Sequence, residues 1–175
     1  AAPVLVAGHP VVAVKGNVAG LVPGEVVDLA EATGADIEVN LFNRTAERMT
    51  AIADHLREHG AEEVKGLTAD ARIPGLDHER AKVDADGIGA ADVVVVPLED
   101  GDRAEALAEA GKTEIVLDLN PLSRSAQTAA IPVVDTIIRA VPNMTTPAPE
   151  LQGADQATLT EIIADFDPDA ARAAA

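Results

Sequence analysis

The stretch EIVLDLNPLSRSA, residues 114–126, passes within a few positions from an aliphatic run to a dense group of polar side chains. A short, uninterrupted aliphatic run is typical of a strand that is buried on both faces of a parallel sheet. Ligands of such sheets bind outside the carboxyl ends of the strands. We therefore predict that Asp118, Asn120, Ser123 and Arg124 form one wall of an anion-binding edge.

Aliphatic runs alternate with helical patterns along most of the chain. This alternation predicts an α/β, Rossmann-like fold in which helices cover both faces of a mainly parallel sheet of about six strands. The predicted strands are residues 10–14, 36–41, 62–67, 92–97, 113–119 and 131–135. The predicted helices are residues 24–33, 45–60, 103–110 and 122–129. We expect a glycine-rich turn after the first strand and loops across residues 68–90.

Two parts of the chain are predicted to differ in role. Residues 1–146 are expected to form a core that binds nucleotide and substrate, and residues 147–175 are expected to form a tail. One amphipathic helix is predicted in the tail from the spacing of its apolar side chains, Leu159, Ile162, Ile163 and Phe166. We expect this helix to dock on the core or on a second subunit.

The composition is strongly acidic, with 30 Asp and Glu against 13 Lys and Arg and a net charge of −17. This charge repels polyanions, and the chain has two aromatic side chains, so nucleic acid is not an expected partner. The absence of cysteine excludes disulfides and thiolate zinc sites. No apolar run reaches the roughly 18 residues of a membrane span. We therefore expect a cytoplasmic protein that does not bind membranes.

Lysine is scarce among the basic residues of this acidic chain, since arginine supplies most of them. Dissolved ions screen the repulsion between like charges on a protein surface. An excess of acidic residues with few lysines therefore predicts adaptation to a salt-rich cytoplasm. An ordinary acidic enzyme is the alternative.

Most of the arginines lie in or beside the segments that follow the predicted strands. A guanidinium donates two parallel hydrogen bonds to a phosphate or a carboxylate, so this concentration predicts anion recognition at one edge. The arginines concerned are Arg44, Arg48, Arg72, Arg80, Arg103, Arg124 and Arg139. The others, Arg57 and Arg172, are predicted to lie on solvated helix faces.

Three shorter motifs each have two explanations. PLEDGDR, residues 97–103, suits Mg²⁺ carried by a nucleotide, but it also suits an acidic turn before a helix. DHER, residues 77–80, could hold a general base, although an exposed charge cluster is the commoner explanation. Ser123 could meet an anion at a helix start or cap that helix.

Several segments together are more specific than any one motif. They are GNVAGLVP (16–23), ADIEVNLFNRTAER (35–48), IPGLDHERAKVD (73–84), ADVVVVPLEDGDR (91–103) and DLNPLSRSA (118–126). In order and spacing they resemble the archaeal 4-phosphopantoate–β-alanine ligase family, also called phosphopantothenate synthetase. The resemblance implies that 4-phosphopantoate and β-alanine are joined while ATP is cleaved to AMP and pyrophosphate, a step of coenzyme A biosynthesis. It also implies a homodimer.

The resemblance assigns the nucleotide contacts to seven positions, Asp118, Leu119, Asn120, Arg124, Ser125, Thr136 and Ile137. The activation of a carboxylate beside two phosphorylated molecules demands many fixed cations and donors. We predict that 4-phosphopantoate is held by Asn40, Arg44 and Arg48 together with the catalytic group Asn17, His78 and Arg80. The expected cofactors are ATP and Mg²⁺, with Asp100 and Asp102 as metal ligands.

Some features depart from the family. Lys15 stands where members typically have an asparagine, and Ser125 stands where threonine is common. Members also begin with a helical segment containing a Gly-Arg-Gly element, so we expect this chain to be truncated or part of a longer protein. A nucleotide sensor without catalysis is one alternative. A nicotinamide dehydrogenase is another, although it calls for GxGxxG and an acidic residue where Asn40 closes the second strand.

Overall fold

The structure is a computed structural model that describes residues 1–98 and 100–174. Glu99, one carboxylate of the predicted acidic motif, lies outside the described residues. The strands found in the described residues are β1 (Pro10–Val14), β2 (Asp36–Val39), β3 (Ala71–Arg72), β4 (Lys82–Val83), β5 (Val93–Pro97), β6 (Thr113–Asp118) and β7 (Ile131–Val134).

The helices in the same ranges are α1 (Ala2–Val6), α2 (Gly16–Leu21), α3 (Pro23–Thr33), α4 (Ala46–Glu58), α5 (Gly101–Glu109), α6 (Arg124–Thr128), α7 (Ile137–Thr145), α8 (Ala148–Gln152), α9 (Gln156–Ala164) and α10 (Pro168–Ala173). A 3₁₀ turn spans Glu79–Ala81 and a π-type turn spans Ala85–Gly89. None of the described helices combines the length and the apolar character that crossing a bilayer requires.

The central sheet is parallel, with β2, β1, β5, β6 and β7 side by side in that order. β6 lies inside the sheet, where Ile115 is opposite Val95 of β5 and Ile131 of β7. Residues 114–117 are fully buried, as the aliphatic run predicts. The expected α/β, Rossmann-like architecture is confirmed.

The predicted strand at residues 62–67 is wrong. Within this segment Lys65 forms a single parallel bridge to Glu38 of β2. The next residue, Gly66, has a φ of +95°, and backbone in the left-handed region does not continue a strand. Within residues 1–98 and 100–174 the central sheet therefore has five strands rather than six.

Two other expectations also need correction. The glycine-rich turn after β1 is the helix α2, because Gly16 and Gly20 adopt helical backbone. The predicted loops across residues 68–90 contain the antiparallel pair β3–β4 and the two short turns.

The two faces of the sheet pack against different parts of the chain. On one face Val12 and Val14 share a buried core with side chains of α3, α4 and α7. On the other face Val11 and Val96 share a core with α5 and with the segment 71–91. Helices thus contribute to both faces, but a largely irregular segment covers much of the second one.

The tail contains α8, α9 and α10 rather than one helix. The predicted amphipathic stretch is α9, which lies beside α1, and α10 lies beside β7. Leu159 is buried, whereas Ile162 and Phe166 remain exposed. Arg172 does not lie on a solvated face, since it donates to the carbonyl oxygen of Ala126 at 3.0 Å.

Candidate functional site

The carboxyl ends of the sheet strands meet at one edge, because the strands are parallel. Lys15, directly after β1, is half-buried, and its Nζ donates to the carbonyl oxygen of Leu98, directly after β5. Lys15 therefore joins the ends of two neighbouring strands, β1 and β5. Leu98 has a φ of +57°, so the chain turns sharply at this point.

The loop after β6 is built by its own polar side chains. Asp118 accepts from the hydroxyl of Ser123 at 2.6 Å and from the amide of Asn120 at 3.0 Å. Asn120 in turn accepts from the amide of Leu122 at 3.0 Å. Ser123 Oγ accepts from the amide of Ala126 at 3.1 Å, so Ser123 caps α6. Of its two explanations, capping is confirmed.

The loop leaves different groups at its surface. Leu119 is 65 % and Leu122 is 81 % exposed. The Arg124 side chain is 62 % exposed, donates to Asp102, and lies 3.7 Å from Glu105 Oε1. The hydrogen bond from Arg124 to Asp102 raises the pKa of Arg124. Ser125, by contrast, is buried.

The α5 start is shaped by the same arginine. A Cβ added to Gly101 would lie 2.6 Å from Arg124 Cβ and Nε, so glycine at this position lets the Arg124 side chain pass close to the start of α5. Asp102 is thereby tied to Arg124, and Asp100 accepts from Arg80. No group of three or more acidic or histidine side chains suited to a metal occurs among residues 1–98 and 100–174. The described carboxylates thus do not form a metal cage of their own.

The end of β7 adds a second loop to this edge of the sheet. Asp135 accepts from the amide of Thr136 at 2.6 Å and from Arg139 Nε at 2.9 Å. The hydrogen bond from Arg139 lowers the pKa of Asp135. Ile137 is buried in the core, so it offers a ligand its backbone rather than its side chain.

At the other end of the edge, Asn40 holds the segment that contains the DHER motif. Asn40 is 1 % exposed, and its Nδ2 donates to the carbonyl oxygens of Arg80 at 3.2 Å and Lys82 at 2.9 Å. Its Oδ1 has no hydrogen-bond partner in the described part of the chain. The Phe42 ring lies 5.1 Å from that of His78, centroid to centroid. The segment therefore packs against the end of β2.

Arg80 is not part of an exposed charge cluster. It is 1 % exposed, and its guanidinium donates to Asp100. The explanation of DHER as a solvated cluster is therefore wrong for this residue, because its long stem and charge are enclosed. Arg103 was expected at the anion-binding edge, but its side chain is also fully buried.

Arg44 lines a cleft of about 310 Å³ beside these residues. Its Nη2 donates to the carbonyl oxygens of Gly66 and, at 3.5 Å, Leu67. Its Nη1 is buried and has no hydrogen-bond partner among the described residues. The cleft is lined by Arg44, Ala46, Met49, Thr50, Leu67, Glu79 and Lys82. The cleft thus has two cations in its lining, Arg44 and Lys82, and Lys82 pairs with Glu79 at 2.8 Å.

The remaining predicted residues stand further out. Asn17 is exposed, and its Oδ1 accepts from the amide of Val18 at 3.0 Å. Arg48 is also exposed and donates to the carbonyl oxygen of Asn43 at 2.5 Å. Both hydrogen bonds are local in sequence, one and five positions apart. Sequence reasoning missed Lys82, although it lies inside one of the five resembling segments.

The structure thus brings the predicted residues together in two groups. Asn40, Arg44, His78 and Arg80 lie around the end of β2, and the predicted nucleotide residues lie after β6 and β7. Between the two groups are the Lys15–Leu98 contact and the Arg80–Asp100 pair. This arrangement offers cations on one side and a helix-bounded loop on the other.

Comparison with known proteins identifies the relatives of this chain. It is 54 % identical over 167 residues to a 4-phosphopantoate–β-alanine ligase of Thermococcus onnurineus, covering 95 % of this chain and 64 % of that protein. It is 52 % identical over 164 residues to the Thermococcus kodakarensis ligase of the same name, covering 93 % and 63 %. The Methanosarcina mazei ligase is 50 % identical over 166 residues, covering 95 % and 65 %.

The chain therefore spans just under two thirds of the length of these relatives. The sequence model of the phosphopantothenate/pantothenate synthetase family matches residues 1–175. With this match over the whole sequence and identities above half to named members, the chain belongs to the phosphopantothenate/pantothenate synthetase family.

Proposed function

We propose that this protein joins 4-phosphopantoate to β-alanine at the expense of ATP, forming 4′-phosphopantothenate, AMP and pyrophosphate. The observation that supports the proposal is the edge of the sheet along which two groups of candidate anion-binding residues lie, in a chain whose relatives bear the name of this ligase. A ligase of this kind must hold two phosphorylated molecules side by side. The edge has one group for each of them.

The first group is proposed to hold 4-phosphopantoate. Arg44 and Lys82 provide cations in the cleft, and the free Oδ1 of Asn40 can accept from a substrate hydroxyl. Arg80 contributes positive charge from beneath this surface, because its guanidinium is buried. Arg48 and Asn17 are proposed to close on the substrate from the exposed flanks.

The second group is proposed to hold ATP. The backbone amides that follow Ser123 and Thr136 begin two helices, and partial positive charge at helix starts favours phosphate. Arg124 is exposed and can exchange its contact with Asp102 for a phosphate. Mg²⁺ would arrive on the nucleotide, and we propose that Asp100 and Asp102 complete its oxygen ligands.

The reaction follows from this placement in two steps. A carboxylate oxygen of 4-phosphopantoate attacks the α-phosphorus of ATP, and pyrophosphate leaves, giving an acyl adenylate. The β-alanine amine then attacks the acyl carbon, and AMP leaves with the electrons of the broken C–O bond. We propose that the imidazole of His78, which belongs to the group around the end of β2, accepts the proton that the amine releases.

The assembly and location of the protein are also proposed. A homodimer follows from the family resemblance, and use of ATP in a coenzyme A pathway favours the cytoplasm. These statements can be checked separately from the reaction, by light scattering and by fractionation of the source cells.

Calorimetry with ATP, AMP and NAD⁺ on the full-length protein tests the class of function. We expect ATP to bind and AMP to appear when both other substrates are present. Binding of NAD⁺ without ATP would overturn the proposal in favour of a dehydrogenase. Binding of ATP without AMP formation would favour a nucleotide sensor.

A further inference from the structure

Arg44 owes its position to the turn that follows Lys65. Its guanidinium contacts within the described residues are hydrogen bonds from Nη2 to the carbonyl oxygens of Gly66 and Leu67. A shift of these two carbonyls would therefore move the guanidinium. A contact that holds the turn in place therefore also holds the Arg44 guanidinium in the cleft.

The turn has a conformation that a peptide does not favour by itself. Gly66 has a φ of +95° and Ala69 has a φ of +52°. A left-handed backbone at an alanine persists only where surrounding contacts enforce it. A Cβ on Gly66 would lie 2.2 Å from the carbonyl oxygen of Val39, so the turn is also pressed against the end of β2.

The side chain of Asp84 supplies the enforcing contacts. Its Oδ2 accepts from the amide of Gly66 at 2.7 Å, and its Oδ1 accepts from the amide of Ala69 at 2.5 Å. Asp84 is 8 % exposed. One buried carboxylate thus bridges both ends of the turn that carries Gly66 and Leu67.

Asp84 is itself held by the central sheet. Its backbone amide donates to Glu38 Oε1 at 3.2 Å, and Glu38 Oε2 accepts from the amide of Ile88 at 2.6 Å. Glu38 lies on β2 and is fully buried. A continuous set of hydrogen bonds therefore runs from β2 through Asp84 and the turn to Arg44.

We propose that Asp84 is a positioning residue that sets the Arg44 guanidinium for binding of 4-phosphopantoate. The inference rests on the proposed role of Arg44. The carboxylate is needed because two backbone N–H groups require two acceptor oxygens. An asparagine has one oxygen and would turn its NH₂ group toward one of the two amides.

The test measures steady-state kinetics of Asp84→Asn in the full-length protein. We expect the KM for 4-phosphopantoate to rise roughly tenfold, since ground-state binding through Arg44 is weakened, while the KM for ATP stays unchanged. If Asp84→Asn does not fold, Asp84→Glu replaces it. That variant keeps both oxygens but displaces the turn by one methylene group, and a smaller rise in the same KM is expected.

Asp92→Asn is the matched control. Asp92 also clamps two backbone amides, those of Gly8 at 2.6 Å and His9 at 2.9 Å, but at the opposite edge of the sheet. It is expected to lower the melting temperature without changing either KM. A rise in the KM for 4-phosphopantoate in this control would show that any loss of stability produces the effect.

A double-mutant cycle with Arg44→Ala separates the inference from the proposed function. If Asp84 acts through Arg44, Asp84→Asn changes nothing further in the Arg44→Ala background. An equal effect in both backgrounds, or a wild-type KM in Asp84→Asn while Arg44→Ala is impaired, would overturn the role of Asp84 alone. If Arg44→Ala itself keeps the wild-type KM, the proposed function of Arg44 is wrong, and the inference falls with it.

Discussion

The guanidinium of Arg80 is enclosed in the protein, with 2 % of its side chain exposed, yet it donates to Asp100, whose side chain is 56 % exposed. The pair joins the segment held by Asn40 to the segment that follows β5. The first segment belongs to the group around the end of β2, and the second lies between that group and the loops after β6 and β7. Arg80 therefore ties the group around the end of β2 to the segment that follows β5.

Arg80→Ala should lower the free energy of unfolding by about 3 kcal/mol, the usual scale for truncating a large buried side chain. Urea denaturation monitored by circular dichroism measures this. Arg57→Ala is the control, because Arg57 is exposed and pairs with Asp54 within the same helix, and its effect should stay within about 0.5 kcal/mol. Equal stability of both variants would contradict the buried position of Arg80.

Gly66→Ala tests the turn beneath Arg44. The new Cβ would meet the Val39 carbonyl at 2.2 Å, and the φ of +95° disfavours any side chain. We expect a loss of about 3 kcal/mol or failure to fold. Gly20→Ala has open space around its Cβ inside α2, so it should be neutral or stabilise the protein by up to about 1 kcal/mol. Similar melting temperatures for the two variants would refute this geometry.

The sequence predicted the sheet strands well where long aliphatic runs decided the outcome. The ranges 92–97 and 113–119 contain short aliphatic runs rich in valine and isoleucine, and their short length and β-branched side chains favour a buried strand. Residues 62–67 failed because a single glycine with positive φ ends the pairing after Lys65. That conformation depends on Asp84, which lies 18 positions further along the chain.

The candidate site was predictable as a set of positions but not as a set of contacts. Parallel strands imply that Asn40, Asp118 and Asp135 end at one edge. They do not reveal that the Asp118 carboxylate accepts hydrogen bonds from Ser123 and Asn120, or that Arg80 is buried. Such details depend on long-range packing that local patterns do not encode.

Glu38 predicts a specific pH dependence of stability. Burial raises the pKa of Glu38 from 4.5 to about 7. The hydrogen bonds from the amides of Ile88 and Asp84 and the positive charge of Arg103 act in the opposite direction. Burial lowers the pKa of Lys112, and the charge of Glu38 in turn opposes that shift. The folded state therefore holds a proton between pH 4.5 and 7 that the unfolded state has lost. Stability contributed by this group is present below pH 4.5 and is lost as the pH rises through 7.

The measurement compares the wild type with Glu38→Gln, which does not titrate at this position. From pH 4 to 7.5, the free energy of unfolding of the wild type should fall relative to the variant by about 3 kcal/mol, at 1.36 kcal/mol per pKa unit. Urea melts at intervals of about half a pH unit give the difference directly. A difference that is constant with pH would rule out the raised pKa.

Salt should stabilise this protein, because the net charge of −17 acts on a small domain. Screening shortens the Debye length from about 10 Å at 0.1 M to about 3 Å at 1 M salt. Thermal midpoints measured between about 0.1 and 3 M KCl are expected to rise, with α9 losing its contact with α1 first at low salt. A midpoint that stays flat or falls would show that the acidic surface is not an adaptation to salt.

The most direct measurement of the proposed reaction is the formation of AMP and 4′-phosphopantothenate by the full-length protein, with each substrate left out in turn. We expect equal amounts of both products only when ATP, 4-phosphopantoate and β-alanine are all present. Arg44→Ala should lower kcat/KM for 4-phosphopantoate by about 100-fold, the usual effect of removing one hydrogen-bond donor from an active site. Arg57→Ala should leave kcat/KM unchanged. AMP formation without β-alanine-dependent product, or an Arg44→Ala variant as fast as the wild type, would contradict the account.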